Sequence, residues 1–215
     1  MKFSCSIDFH LPTQELYDIY WNEFGHKLDD RTLYKDDKRI MPVVTGFLIT
    51  GKDIKWPVQS LLDALDIELQ TARLFVTNPH RKLQIHKDCL GQSKELRPWA
   101  INIPIANCDL GINEWFEDHN NDFGTEQFAP GGSAMMPEYF DNNYIVSESM
   151  VLNSIQLIKT DVFHRSNNTG NDNRRVVLSL RGKPDVTWAD ILEKVNVYNR
   201  RRAEDNSRFK RYSYP

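Results

Sequence analysis

Two histidines and an aspartate carry the strongest chemical signal in this sequence. His86 and Asp88 flank Lys87 at the end of a strand-like run over residues 82–86. Residues two apart on a strand share a face, so this imidazole and carboxylate point one way and Lys87 the other. A third donor, His164, stands in a second such run over residues 161–165, where it shares a face with Val162. Two imidazoles and one carboxylate form the facial triad that holds iron(II) and leaves three positions open to reactants. An H-x-D arises by chance in roughly every second chain of this composition, so the triplet gains weight only from its surroundings.

Those surroundings include an arginine. His164 is followed by Ser166-Asn167-Asn168-Thr169-Gly170-Asn171-Asp172-Asn173, a run of turn formers. The chain returns as Arg174-Arg175-Val176-Val177-Leu178-Ser179-Leu180, which sets a histidine and an arginine on adjacent strands. A buried arginine at the head of an apolar strand calls for a carboxylate that it can grip through two nitrogens. One other motif is a decoy. The run from Gly46 to Lys52 has the spacing of a phosphate loop, but Asp53 replaces the Ser or Thr that would meet magnesium. Its interior, Phe47-Leu48-Ile49-Thr50, reads as a strand.

The elements that must position these groups follow from periodicity. Residues 13–28 place Leu16, Ile19, Tyr20, Phe24 and Leu28 at helical spacing behind Thr13 as N-cap. A second helix is expected over 57–70, opened by Pro57 and carrying Val58, Leu61, Leu62, Leu65 and Leu69. From about residue 72 to 182 the apolar runs are short and β-rich, with strands expected over 73–77, 82–86, 99–105, 143–149, 154–158, 161–165 and 175–180. Their spacing points to antiparallel strands in a sandwich or barrel. Residues 187–200 return to helix, followed by a basic tail read as a solvated terminus. The stretch 119–137, rich in Gly and Pro, is expected to be a long loop that serves as a lid over the substrate.

Composition narrows the classes. The 215 residues suit one domain, 1–215, with enough chain for a full core. A net charge of −3 argues against nucleic acid as a main partner, and no apolar run is long enough for a membrane helix. Asp8 and His10 break any apolar leader. Three cysteines, Cys5, Cys89 and Cys108, lack a C-x-x-C pair, so neither a disulfide framework nor a zinc knuckle is expected, and the chain reads as cytoplasmic.

His86-x-Asp88, then His164, then an arginine ten or eleven residues on that leads an apolar strand, together resemble the iron(II)/2-oxoglutarate-dependent oxygenase superfamily. Residues 98–108, Pro-Trp-Ala-Ile-Asn-Ile-Pro-Ile-Ala-Asn-Cys, resemble the strand after the H-x-D turn in its small bacterial and viral members. The resemblance spans about residues 80–182. It implies a mainly β fold, a double-stranded β-helix (jelly-roll, cupin-like) core over about 72–182, with flanking helices at both ends. It implies iron(II) on His86, Asp88 and His164, and 2-oxoglutarate as cosubstrate with its distal carboxylate on Arg175. Arg97, Trp99 and Asn102 would then lie beside the cosubstrate.

The implied reaction decarboxylates 2-oxoglutarate to succinate and hydroxylates a C–H bond of an amino-acid residue or small metabolite. Ordinary metal cupins carry an H-x-H pair, which is absent here. Strand alternation puts Arg175, Val177 and Ser179 on one face and Arg174 with Val176, Leu178 and Leu180 on the other. Burial alone favours Arg174 as the inward residue. The smaller Val177 and Ser179 beside a bound diacid, and the place of the family's arginine, favour Arg175. The rival reading is a non-enzymatic β-sandwich, a binding or virion-associated module whose histidines are structural.

Overall fold

Strand β14 (Arg175–Gly182) organises the molecule, because it is paired on both sides and buried along its whole length. It runs antiparallel between β7 (Trp99–Ala106) and β5 (Leu69–Thr77). Beyond β7 the sheet continues through β12 (Gln156–Lys159) to β1 (Ser4–Ser6), and β4 (Val44–Ile49) closes it beside β5. The computed structural model describes residues 2–212 apart from 28–32, 36–37, 41–43, 50–55, 91–92, 94, 118–125, 129–133, 138–144 and 184. Of residues 33–35, 38–40, 56 and 207–212 it describes the backbone alone.

A second wall faces this six-stranded sheet. β11 (Val146–Val151), β8 (Ile112–Phe116) and β13 (His164–Asn167) form one part, and β6 (Lys87–Asp88), β10 (Ala134–Pro137) and β9 (Glu126–Phe128) form the other. Isolated bridges, Lys82 to Asn167 and His86 to His164, tie the two parts together. The walls enclose a cavity of about 820 Å³. The fold is thus the double-stranded β-helix, with helices at both ends of the chain. A short hairpin, β2 (Leu33–Lys35) with β3 (Lys38–Ile40), is separate from both walls.

The helices cover the outer face of the large sheet. α1 (Thr13–Phe24) brings Leu16 and Tyr20, α2 (Trp56–Ala64) brings Leu61 and Leu62, and α3 (Trp188–Tyr212) brings Ile191 and Val195. They bury against Leu74, Ile101, Ile103 and Leu178 of the sheet. Each such aliphatic side chain, fully removed from water, contributes about 1.5–3 kcal/mol. Alternation then decides function: one face of β14 and β7 is held by helices, and the other is left to line the cavity. Among the described residues no helix is long and apolar enough to cross a membrane.

Several expected boundaries shift. Strands begin before residue 72, since β1 and β4 form both edges of the large sheet; three residues are too few to show alternation, and β4 contains the strand-like Phe47–Ile49 of the phosphate-loop decoy. Thr13 is the first helical residue and not a cap, for Pro12 holds that position with no side-chain bond. The second helix stops at Ala64, where Asp66 turns to φ 50° and Leu69 opens β5. α3 overruns the expected end at residue 200 because 200–212 holds neither Gly nor Pro and many strong helix formers. Thr187 and Asp190 cap its start reciprocally, with Asp190 N–H donating to Thr187 Oγ1 and Thr187 N–H to Asp190 Oδ2. The expected loop 119–137 contains β9 and β10, and its other parts lie largely outside the described residues. The strand expected over 143–149 is found at Val146–Val151, with 143–144 outside the described residues.

Trp99 shows how tightly the helical side is filled. Its Nε1 donates to Val186 O at 2.9 Å, and its ring occupies the space that a side chain on Gly182 would need. Gly182→Ala should therefore cost about 1–3 kcal/mol by forcing the ring aside. A lower urea midpoint with an unchanged m value is the expected measurement.

Candidate metal centre

His86 and His164 meet because their backbones are directly paired. Each donates its N–H to the other's carbonyl, at 3.0 and 2.9 Å, so the two residues stand opposite each other across the ladder. Cross-strand partners share a face, and the imidazole centroids lie 4.6 Å apart. Asp88, two residues beyond His86, returns to that face. His86 Nε2 is 3.7 Å from Asp88 Oδ1, and His164 Nε2 is 4.0 Å from Asp88 Oδ2. The three donor atoms all lie within 4.8 Å of one another.

Both rings are held by the same local device. His86 Nδ1 lies 2.8 Å from Gln84 O, and His164 Nδ1 lies 2.9 Å from Val162 O. A carbonyl only accepts, so each Nδ1 carries the proton and each Nε2 presents its lone pair to the centre. The device also explains why the expected strands 82–86 and 161–165 are broken. The carbonyl two residues upstream serves the ring instead of a ladder, leaving bridges at 82 and 86 and a strand that begins only at His164.

Asp88 is 5% exposed and needs a compensating charge. Burial by itself would raise its pKa. The Arg181 guanidinium, which donates from Nη1 to Oδ2, together with His164 and His86, prevails and brings it down to about 2. Burial and the nearby His86 hold His164 down to about 4, so its ring is neutral near pH 7. The Nε2 atoms of both imidazoles and an ionised carboxylate thus converge on one point. That donor set fits a divalent cation of the iron, manganese or nickel kind.

Two residues along β13 from His164, roughly 6–7 Å on an extended strand, Ser166 accepts from Arg175 Nη1. Arg175 is 1% exposed, and its Nη2 donates to Asn113 Oδ1 at 3.1 Å. Its Nε has no hydrogen-bond partner, and one amide end each of Asn113 and Asn102 is equally unpaired. All three side chains line the cavity, where buried polar atoms without partners mark a place for a polar ligand. Room for Arg175 comes from Gly111, where a Cβ would sit 2.6 Å from Arg175 Cδ.

The structure sorts the remaining sequence candidates. Arg175, Val177 and Ser179 line the cavity together. Arg97 lines it at the Asp88 end, with its N–H on Asp88 O at 2.9 Å. Trp99 does not touch the cavity: it faces the helices, one position out of phase with Asn102 on β7, so the expectation that it meets the cosubstrate is corrected. Arg181, Arg73, Ser166 and Asn113 were not anticipated. Arg181 had a signal, because 175, 177, 179 and 181 continue one alternation, but the expected strand stopped at Leu180. The long segment expected as a lid supplies Ala134 and Met136 to the cavity wall.

No protein-family model matches the chain, and no curated protein is similar to it. Solved structures resemble it in fold at low identity. EvdMO1 aligns with a TM-score of 0.51 and 10% identity, over 85% of this chain and 47% of that one. The non-heme α-ketoglutarate dependent carbocyclase SnoK from nogalamycin biosynthesis gives 0.47 and 9% identity, over 83% and 78%. EctD from S. alaskensis, solved with 2-oxoglutarate and 5-hydroxyectoine, gives 0.45 and 13%, over 82% and 70%. The likeness to EvdMO1, at 10% identity, speaks to architecture alone.

The His164 environment predicts an acid sensitivity of the metal-free protein. The unfolded chain takes up a proton on this residue near pH 6.5, whereas the fold refuses it until about 4. The unfolded state therefore binds the extra proton in that window, and stability falls as pH drops through it, by about 3 kcal/mol in total. Urea unfolding at pH 7 and pH 4.5 should show most of this loss, and His164→Asn should flatten it.

Proposed function

We propose that this chain is an iron(II)/2-oxoglutarate-dependent dioxygenase that hydroxylates a C–H bond of an amino-acid residue or small metabolite. The observation that carries the reading is the convergence of His86, Asp88 and His164 within 4.8 Å at the wall of a cavity whose other end holds a buried, partly unpaired arginine. His86, Asp88 and His164 would hold the iron. Arg175, with Asn113 and Ser166 around it, would hold the distal carboxylate of 2-oxoglutarate, and Asn102 lines the cavity nearby. The two-residue step along β13 from His164 to Ser166, roughly 6–7 Å, matches the span of a five-carbon diacid. When bound, iron(II) and 2-oxoglutarate supply the oxidising chemistry, in which dioxygen is consumed, succinate and carbon dioxide leave, and the substrate gains a hydroxyl group.

The protein's own share is geometry, charge and dryness. The Gln84 and Val162 carbonyls keep both Nε2 lone pairs aimed at one point. Arg181 keeps Asp88 ionised and occupies Oδ2, which leaves Oδ1 turned toward His86. Arg175 and the Asn113 amide offer fixed donors to a carboxylate, in a setting where charge-assisted bonds are strong. Phe75, Val177, Ile158 and Met136 line the space between and exclude water.

Two measurements test this reading. Anaerobically loaded protein should bind one iron(II) or manganese(II), and His86→Ala or Asp88→Ala should abolish that binding while the fold persists. Full metal occupancy in both variants would leave the histidines structural and favour the non-enzymatic rival. Arg175→Ala should weaken 2-oxoglutarate binding by on the order of 2–4 kcal/mol with metal affinity retained, and Arg174→Ala should change it little. Succinate formation with candidate peptides and metabolites then reads the reaction itself.

A further inference from the structure

The end of the cavity opposite Arg175 carries three more arginines. Arg181 lies on the same face of β14 six residues on, roughly 20 Å along an extended strand. Across the β14–β5 ladder its Cα partner is Thr71, and Ser179 stands opposite Arg73. Arg97, two residues before β7, reaches the same place and donates from Nη1 to Thr71 Oγ1 at 3.3 Å. All three guanidinium groups line the cavity, and Asp88 is the sole carboxylate among its described lining residues.

Arg181 is committed to Asp88. Among the described residues Arg73 makes no hydrogen bond or ion pair, and the Arg97 guanidinium bonds Thr71 alone. Asp88, the one carboxylate among the described lining residues, is already paired with Arg181. Three guanidinium groups around one carboxylate in a half-buried wall repel unless a further anion sits among them. The distal carboxylate of a 2-oxoglutarate anchored on Arg175 lies at the far end of the strand, and its other carboxylate would go to the metal site beside Asp88 and Arg181, so Arg73 and Arg97 call for a second anion. The neighbouring surface is apolar. Phe75 follows Arg73 on the same face, and Leu48, the Cα partner of Arg73 on β4, is 57% exposed.

We infer that the substrate is an anion with an apolar body, its carboxylate or phosphate seated between Arg73 and Arg97 and its reacting carbon turned toward His86, Asp88 and His164. The inference rests on the oxygenase reading and adds the substrate's chemical class to it. Arg73 and Arg97 select the charge, Phe75 and Leu48 receive the apolar part, and Arg181 stays with the metal site.

Calorimetric titration of the manganese- and 2-oxoglutarate-loaded protein with hexanoate, hexyl phosphate and neutral hexanamide tests this. One or both anions should bind at least about tenfold tighter than the amide, the worth of one charge-assisted contact. The stronger of the two names the anionic group. Arg73→Gln with Arg97→Gln should erase that preference, with manganese and 2-oxoglutarate affinity and the thermal melt held near wild type. Equal binding of amide and anions, or a preference that survives in the double variant, overturns the inference. So does a loss of 2-oxoglutarate affinity in the double variant, since that would place the cosubstrate at this end. A wild-type protein that takes up neither manganese nor 2-oxoglutarate sinks the oxygenase reading instead. The same titration of metal-free protein then still decides whether the arginine end prefers anions.

Discussion

A carboxylate buried between two β-sheets has to be neutralised, and in this protein Arg181 does so for Asp88 across the gap between the walls. Asp88 lies on β6 of the smaller wall, and Arg181 on β14 at the centre of the larger one. An isolated buried charge costs many kcal/mol, so the pair constrains how the walls face each other. It also sets the state of the donor group. Arg181 keeps Asp88 ionised despite its burial, and an ionised carboxylate completes a cation site with the two imidazoles.

The cavity then divides along β14. One alternation of side chains, Arg175, Val177, Ser179 and Arg181, runs from an arginine bound by Ser166 and Asn113 to an arginine bound by Asp88. The triad sits on the opposite wall, with Ser166 two residues beyond His164. A diacid at one end and an anionic substrate at the other is the division of space that this distribution of charge favours. The opposite face of the strand presents Val176, Leu178 and Leu180 to the hydrophobic core under the helices, so the polar face rests on a rigid support.

Function and irregularity are linked at the two histidines. Each imidazole takes the backbone carbonyl two residues before it, which aims Nε2 but removes that carbonyl from the sheet ladder. The wall there consists of single bridges instead of a continuous strand. Close approach is handled in the same economical way at Gly111, where the missing side chain makes room for Arg175.

Local information in the sequence determined much of this: the β-rich middle, the flanking helices, and the shared face of His86 and Asp88, all of which follow from a repeat of two or 3.6 residues. The turn after His164 was equally legible, being written in a run of Asn, Asp and Gly. Pairing across the chain was not. That His86 stands opposite His164, 78 positions away, depends on which strands meet, and no spacing within either strand records it. Trp99 and Asn102 illustrate the same limit: alternation separates them, but only the docked helices decide which face is core and which is cavity. Arg181 lay one residue past the apolar run that marked its strand; Arg73 read only as part of a strand, and Arg97 was singled out by the family resemblance alone, until the pairing of β14 with β5 and β7 brought all three to one end of the cavity. Periodicity is a local property of the chain, whereas burial and charge compensation are settled between elements far apart in it.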